Sequence, residues 1–423
     1  MPGMTLLPRH YRCVKRPLER EGAGPQGRGL LAKNEPSRMV EASSVTTKKE
    51  DQHMKKHDRF IGLDVHKDTI QIAVAEDGRT GELRQFGEIS SDLHALERAL
   101  TKLRADGATL HVAYEAGPTG FVIARHLQAM KTDCIVVAPS KMPVPGGKRQ
   151  KTDRRDAELL ARLLRAGDLT AINVPDEVDE SIRDLARARS DAVEDLTRAK
   201  QRIKSFLLRL GYHYKGTANW SEAHLRYLRS LTIPLAAHKA VLQEYLLAME
   251  QCINRVERLD ALIAVQVPQW DMYPFVKALM TLRGFQLTAA TVVVAEIGDI
   301  RRFKHPRDLM AFLGLVPREE SSGQTHRLGS ITKAGNAHAR WMLIETVQCA
   351  LNVPKVSAEL SKRQESQPTD QRELSWKIQV RLHKRGRHLL ARGKLKQKIV
   401  VALAREMAGF VWAMLHLVPA PAR

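Results

Sequence analysis

Lys151-Thr152-Asp153-Arg154-Arg155-Asp156 places two carboxylates three residues apart at the start of a predicted helix. Residues at i and i+3 share one helix face, with Cβ atoms roughly 5–6 Å apart. Two anions that close raise each other's proton affinity unless a cation neutralises them, and a divalent metal does so well. The cations Lys148, Arg149, Lys151, Arg154 and Arg155 suit a polyanion nearby. Metal and polyanion together suggest phosphodiester chemistry. The same pattern also suits a solvated helix N-terminus, where the dipole favours aspartate.

Two further acids lie upstream. Phe60-Ile61-Gly62-Leu63-Asp64-Val65 is an apolar run broken by one aspartate, and Ile70 to Val74 follows with strand-like alternation. The pair reads as a hairpin with Asp64 at the end of its first strand. A later run, Leu110 to Tyr114, ends in Glu115, and Gly117-Pro118-Thr119-Gly120 separates it from a helix over Phe121 to Met130. Ile135 to Val137 makes another strand. An acid in an apolar strand is costly unless paired or metal-bound, although each alone also fits a carboxylate capping a turn. The order is Asp64 on the first strand, Glu115 ending a later one, then Asp153 and Asp156 on a following helix. That is the order of a ribonuclease-H-like fold, in which acids converge on one or two Mg²⁺ ions and act on phosphodiesters. Alternation of strands and helices through residues 58–170 agrees with it.

The formal charge of +21 and a pI of about 10.0 over 423 residues favour an anionic partner such as nucleic acid. No uninterrupted apolar run approaches the roughly 20 residues that span a bilayer, and the N-terminus makes a poor signal peptide. Cys13, Cys134, Cys252 and Cys349 are too far apart for a zinc site or a disulfide framework, which points to a reducing cytoplasm.

Residues 1–57 are rich in Gly, Pro, Ser and charge and read as a disordered basic extension. The extension either binds nucleic acid nonspecifically or reflects an early start codon, since Met39 and Met54 lie downstream. Residues 58–175 form the α/β unit with the acids. Residues 176–267 read as a helical coiled-coil region with two seams. One comprises Ala192, Leu196, Ala199, Ile203, Phe206 and Leu210, stopped by Gly211. The other comprises Leu242, Tyr245, Met249, Cys252, Val256, Leu259 and Ile263. The seams pack either on each other or on a partner chain. From 268 to 417 a mainly helical region follows. Leu282-Arg283-Gly284-Phe285 precedes a helix from Thr288 to Ile297, with a second helix from His305 to Leu313. This outlines a helix-hairpin-helix, incomplete at Gln286. Gly314 to Asn336 reads as a polar Gly- and Ser-rich loop opening into a helix near Asn336. A serine there could attack phosphorus or could be a plain loop residue. Lys377 to Lys398 carries nine Lys/Arg, among them Lys384, Arg385, Arg387, Lys394 and Lys396, and no acid. Gly386 and Gly393 are expected to break it into loop-like pieces. With little aromatic interleaving, it is expected to hold phosphates rather than stack bases. Ile399 to Leu417 reads as an apolar core helix.

These motifs resemble the DEDD transposases of bacterial insertion sequences, in the family numbered 110, which includes pilin-inversion recombinases. The matching residues are Gly62-Leu63-Asp64-Val65 with Lys67, Tyr114 to Gly120, Lys151 to Ala157, Leu282-Arg283-Gly284, Phe312 to Pro317, Ser322-Gly323 and Lys333 to Asn336. They run in family order across roughly residues 58–417. The resemblance implies an RNase H-like (RuvC-like) N-terminal domain, an α-helical coiled-coil middle and a mainly α C-terminal transposase domain. It implies that Asp64, Glu115, Asp153 and Asp156 bind Mg²⁺. It implies that Ser322, with Ser321 adjacent in register, attacks the scissile phosphate to give a phosphoserine link to DNA. Arg318, Arg327 and Lys333 are then candidate anion stabilisers. The implied partners are donor and target DNA, a structured guide RNA from the same element and further copies of the chain, as a dimer or tetramer through the coiled coil. No membrane is involved, and the setting is a bacterial cytoplasm at the nucleoid. Two other readings remain at this stage. One is an RNase H-like endonuclease (a Holliday-junction resolvase or DDE-type transposase) using metal-activated water. The other is a non-catalytic nucleic-acid-binding protein.

Overall fold

A computed structural model describes residues 57–78, 80–139, 142, 152–322 and 325–420, with the side chains of 320–328 outside the description. The expectations for residues 1–56, for Lys148, Arg149 and Lys151, and for the side chains of Ser321, Ser322 and Arg327 therefore lie outside the described part.

Strands β1 (Asp58–Val65), β2 (Thr69–Glu76) and β3 (Leu83–Ser90) form an antiparallel meander. Helix α1 (Leu93–Arg104) leads to β4 (Thr109–Glu115), and α2 (Val122–Ala129) leads to β5 (Asp133–Val137). Both later strands run parallel, giving a mixed sheet of order β3-β2-β1-β4-β5. Alternation divides its faces. Ile61, Leu63, Ile70, Ile72, Leu110, Val112 and Tyr114 turn to one side and pack with Leu96, Leu100 and Leu127 of α1 and α2. Phe60, Ala73 and Ala75 pack on the other side with Ala157 and Ala161 of α3 (Asp153–Ala166).

Gly62 sets the distance between α3 and the sheet. A Cβ there would overlap the carbonyl of Ala157 and lie 2.6 Å from the amide nitrogen of Ala161. Only glycine lets backbone meet backbone this closely. Gly62→Ala is expected to cost about 1–3 kcal/mol by overpacking, read as a lower thermal midpoint. It is also expected to push the first turn of α3 away from β1, so activity should fall further than the lost stability explains.

The rest is mostly helical: α4 (Glu177–Arg209), α5 (Glu222–Ser230), α6 (Ala236–Gln266), α7 (Tyr273–Met280), α8 (Leu287–Ile297) and α9 (Pro306–Phe312), then β6 (Pro317–Ser322) and β7 (Thr325–Ile331), and finally α10 (Ala337–Thr346), α11 (Ala358–Gln364), α12 (Thr369–Ala391) and α13 (Lys396–His416). Helices α4 and α6 pack antiparallel within the chain, since Arg189 pairs with Asp260, Arg255 with Asp195 and Phe206 with Tyr245. Ala192, Leu196, Ala199, Ile203 and Phe206 meet Leu242, Met249 and Val256 along the seam. Gly211, at φ 78°, follows the end of α4. Helix α13 has the length and apolarity of a membrane span. Here its Ile399, Leu403, Met407, Val411 and Met414 are core residues of the C-terminal half.

Two sequence expectations are corrected. Gly386 does not break the basic segment: α12 runs through it to Ala391, because a bare Cα is what fits against Leu351 and Leu403. Gly393, at φ 67°, follows the helix end. The polar segment after Gly314 is not simply a loop, for β6 and β7 pair as an antiparallel hairpin. The turn between α7 and α8 is packed. Gly284 (φ 97°) lies against the carbonyl of Thr346, and Arg363 donates to the carbonyl of Phe285.

Candidate active site

Leu63 pairs with Tyr114 in the parallel β1–β4 register, so Asp64 and Glu115, each one residue further, stand level on the face that α3 covers. Helix α3 brings its first turn, with Asp153 and Asp156, to the same end. The two helical acids are favoured there by the amide dipoles. Gly167, at φ 73°, caps the other end of the helix.

Asp64, His66 and Asp153 offer ligand atoms all within 4.8 Å of one another. His66 Nε2 lies 3.2 Å from Asp64 Oδ2 and 3.5 Å from Asp153 Oδ2, so the ring bridges a carboxylate from the sheet and one from the helix. Burial raises the proton affinity of Asp64. His66 opposes that shift, while Asp156 and Asp153 add to it. A half-buried carboxylate beside two others is electrostatically poised for a cation. Carboxylate oxygens at this spacing fit Mg²⁺ or Mn²⁺, with an imidazole nitrogen more suited to the latter. The donor set therefore fits a divalent metal.

The sequence reading missed three residues here. His66 was passed over because its value lies in the gap between strand and helix, although an imidazole two residues after Asp64 was a usable signal. Gln71, buried opposite Asp64 in β2, donates to Gln85 Oε1 at 2.9 Å. Gln85 in turn donates to the Arg154 carbonyl at 2.9 Å and to Glu158 Oε1 at 2.7 Å. This relay ties the acidic turn of α3 to the sheet.

The serine segment lies on another element, the β6–β7 hairpin. Ser322 pairs with Thr325 at the end of the β6–β7 hairpin, Arg318 is exposed on β6, and Lys333, also exposed, has a positive φ of 56°. Behind it, Asn336 caps α10 by accepting from the Ala339 amide at 2.9 Å. Asn336 also donates to Glu296 Oε2 at 2.7 Å. Glu296 is buried on α8 and accepts from Arg187 of α4 at 2.7 and 2.9 Å. His338 Nδ1 lies 3.0 Å from its other oxygen, and His338 Nε2 lies 2.8 Å from Ser190 Oγ. Burial alone would raise the Glu296 pKa, but the hydrogen bonds from His338 and Arg187 outweigh it and bring it down to about 2.

A depressed carboxylate stabilises the fold above its ordinary pKa of 4.5, and that contribution is lost as pH falls toward about 2. Glu296→Gln is expected to cost about 3 kcal/mol at neutral pH. Its unfolding midpoint should approach that of the wild type as the pH is lowered from the ordinary carboxylate range. A difference independent of pH would contradict the assignment.

A mixed sheet with acids at its carboxyl end, followed by a mostly helical half, is compatible with the RNase H-like class of DEDD transposases. A DEDD transposase profile matches residues 61–211, and the profile described as "Transposase IS116/IS110/IS902 family" matches residues 276–362. The chain is 41% identical to the protein y4qE of Sinorhizobium fredii, named as a transposase, over 92% of this chain and 94% of that one. It is 29% identical to the transposase of insertion sequence element IS1533 from Leptospira borgpetersenii, over 60% and 73% of the two chains. It is 24% identical to that of IS1111A from Coxiella burnetii, over 84% and 89%. The chain belongs to the IS110 family of insertion-sequence transposases. It is accordingly an enzyme that acts on DNA.

Proposed function

We propose that this transposase cuts and exchanges DNA strands through a phosphoserine intermediate at Ser322, with Mg²⁺ held by Asp64, Glu115, Asp153 and Asp156. The observation that carries the reading is the approach of Asp64 to Asp153 across the β1–α3 junction, with Asp156 coupled to Asp64 and Glu115 level with it. Bound metal would supply charge neutralisation at the scissile phosphate. In the proposed step, Ser322 Oγ bonds to phosphorus while the bond from phosphorus to a deoxyribose oxygen breaks. The serine proton ends on that leaving oxygen. One phosphoester replaces another, so a second DNA hydroxyl can reverse the step on a new strand without ATP. Arg318, Arg327 and Lys333 are assigned to the phosphate charge. Lys148, Arg149, Lys151 and Arg154 are assigned to the nucleic-acid backbone near the acids, and Lys384, Arg385, Arg387, Lys394 and Lys396 to a second backbone track.

In this reading residues 58–175 are the catalytic domain, 176–267 the linking and oligomerising region, and 268–417 the domain that carries the serine. Base pairing to an RNA from the same element would choose donor and target, while the protein holds backbones. The test is denaturing electrophoresis of the full chain after incubation with Mg²⁺, element RNA and end-labelled DNA. A protease-sensitive protein–DNA adduct is expected. Cleaved DNA without an adduct would replace serine by metal-activated water.

A further inference from the structure

The basic helix α12 carries more than charge. Its buried side consists of Ser375, Ile378, Gln379, Leu382 and Gly386, packed toward α13 and the turn at residues 347–351. The opposite side presents Trp376, 45% exposed, and Val380, 42% exposed, one turn apart. Lys384 and Arg387 continue that line, both exposed, while Arg385, nine residues after Trp376, points away from it. At 1.5 Å per residue the line from Trp376 to Arg387 is about 16 Å long. Nearby cations are partly committed, Lys377 to Glu373 at 3.4 Å and Arg381 to Glu406 at 2.6 Å. Lys384, Arg385 and Arg387 have no ion pair among the described residues.

An exposed indole in line with uncommitted cations is an arrangement that two features of one ligand would satisfy. The cations call for phosphates, and the ring calls for a flat apolar partner. A duplex offers the first without the second, because its base faces are covered by stacking. An unpaired strand offers both, since every base has a face an indole can stack on. Trp376 lies one residue before the segment whose charge the sequence makes obvious. Only the continuous helix, running through Gly386, aligns it with Lys384 and Arg387.

We infer that the exposed side of α12 is a binding site for an unpaired nucleic-acid strand, with Trp376 stacking on a base and Lys384 and Arg387 holding the adjoining phosphates. The inference rests on assigning α12 cations to nucleic-acid backbone, as above. It specifies the ligand as single-stranded, DNA or RNA, with at least one base open.

The test measures binding of the full chain to three strands of equal length: oligothymidylate, oligouridylate and an abasic deoxyribose-phosphate strand. Trp376→Ala is expected to weaken binding of the base-bearing strands about fivefold or more and to leave the abasic strand unchanged. Trp376→Phe should restore most of the loss. The thymidylate and uridylate arms show whether DNA, RNA or both are taken. Lys384→Ala with Arg387→Ala should weaken all three strands and lower the salt dependence by about two phosphate contacts. If Trp376→Ala is silent or weakens the abasic strand equally while the double cation variant acts, stacking is overturned and the backbone assignment stands. If the cation variant is silent on every strand, the backbone assignment of α12 fails and the inference with it. A Trp376→Ala protein whose oligomeric state changes without a strand-specific loss would make this face a contact between copies and overturn the site.

Discussion

Asp64→Asn is expected to lower strand exchange about a thousandfold or more, the scale of losing a main electrostatic element of a catalytic site, with little change in DNA binding. The amide keeps the shape of the side chain and removes the charge. Asp64 belongs to the strand and Asp153 to the helix that Gly62 lets approach, so a cation between them depends on both. Its side chain is one-fifth exposed, while that of Asp153 is 66% exposed, so Asp64 is the more enclosed donor. The proton affinity of Asp64 is raised by burial and by its acidic neighbours, so the unmetallated cluster holds its charge less readily than separate aspartates would. Glu115→Gln and Asp156→Asn should behave similarly. The proposed function assigns binding to basic residues rather than to these acids, so filter binding and recombination assays should part company. Normal recombination in any of the three variants would remove that residue from the site.

Ser322→Ala is expected to abolish the covalent adduct outright, while Ser321→Ala retains it. An alanine has no oxygen to bond phosphorus, so no residual covalent route remains through that position. The β6–β7 register fixes the pairing of both backbones, Ser321 with His326 and Ser322 with Thr325. The measurement is the adduct band of each variant with a substrate that traps cleavage. Loss in Ser321→Ala alone would shift the nucleophile by one residue. Loss in neither would send the search to water.

The placement of the four acids on strand ends and a helix face was legible because its determinants are local. Alternation in Phe60 to Val65 and Leu110 to Tyr114 puts Asp64 and Glu115 at strand ends, and the spacing of Asp153 and Asp156 puts them on one helix face. What was not legible depends on partners far away in the chain. Glu296 is an acid in an apolar helix, and nothing near it in sequence announces Arg187 or His338. Gly386 reads as a helix breaker by its intrinsic propensity, and contact with Leu351 and Leu403 overrides that. The β6–β7 hairpin was missed because Arg318-Glu319-Glu320-Ser321-Ser322 contains no apolar residue to mark a strand. Several of the residues read as seams, among them Leu196, Ile203, Leu242 and Met249, are buried where α4 packs on α6. The seams' choice of partner, each other in antiparallel order, was not in the pattern of either.

The most direct test of the central claim is metal binding at the acids. Mn²⁺ is titrated into the protein–DNA complex and followed by electron paramagnetic resonance, comparing wild type with Asp64→Asn and with Asp153→Asn. The account predicts tight Mn²⁺ binding in the wild type that is lost or much weakened in both variants, while each still binds DNA. Equal Mn²⁺ binding in all three proteins would contradict it, and the cluster at β1 and α3 would then be no more than a set of solvated carboxylates.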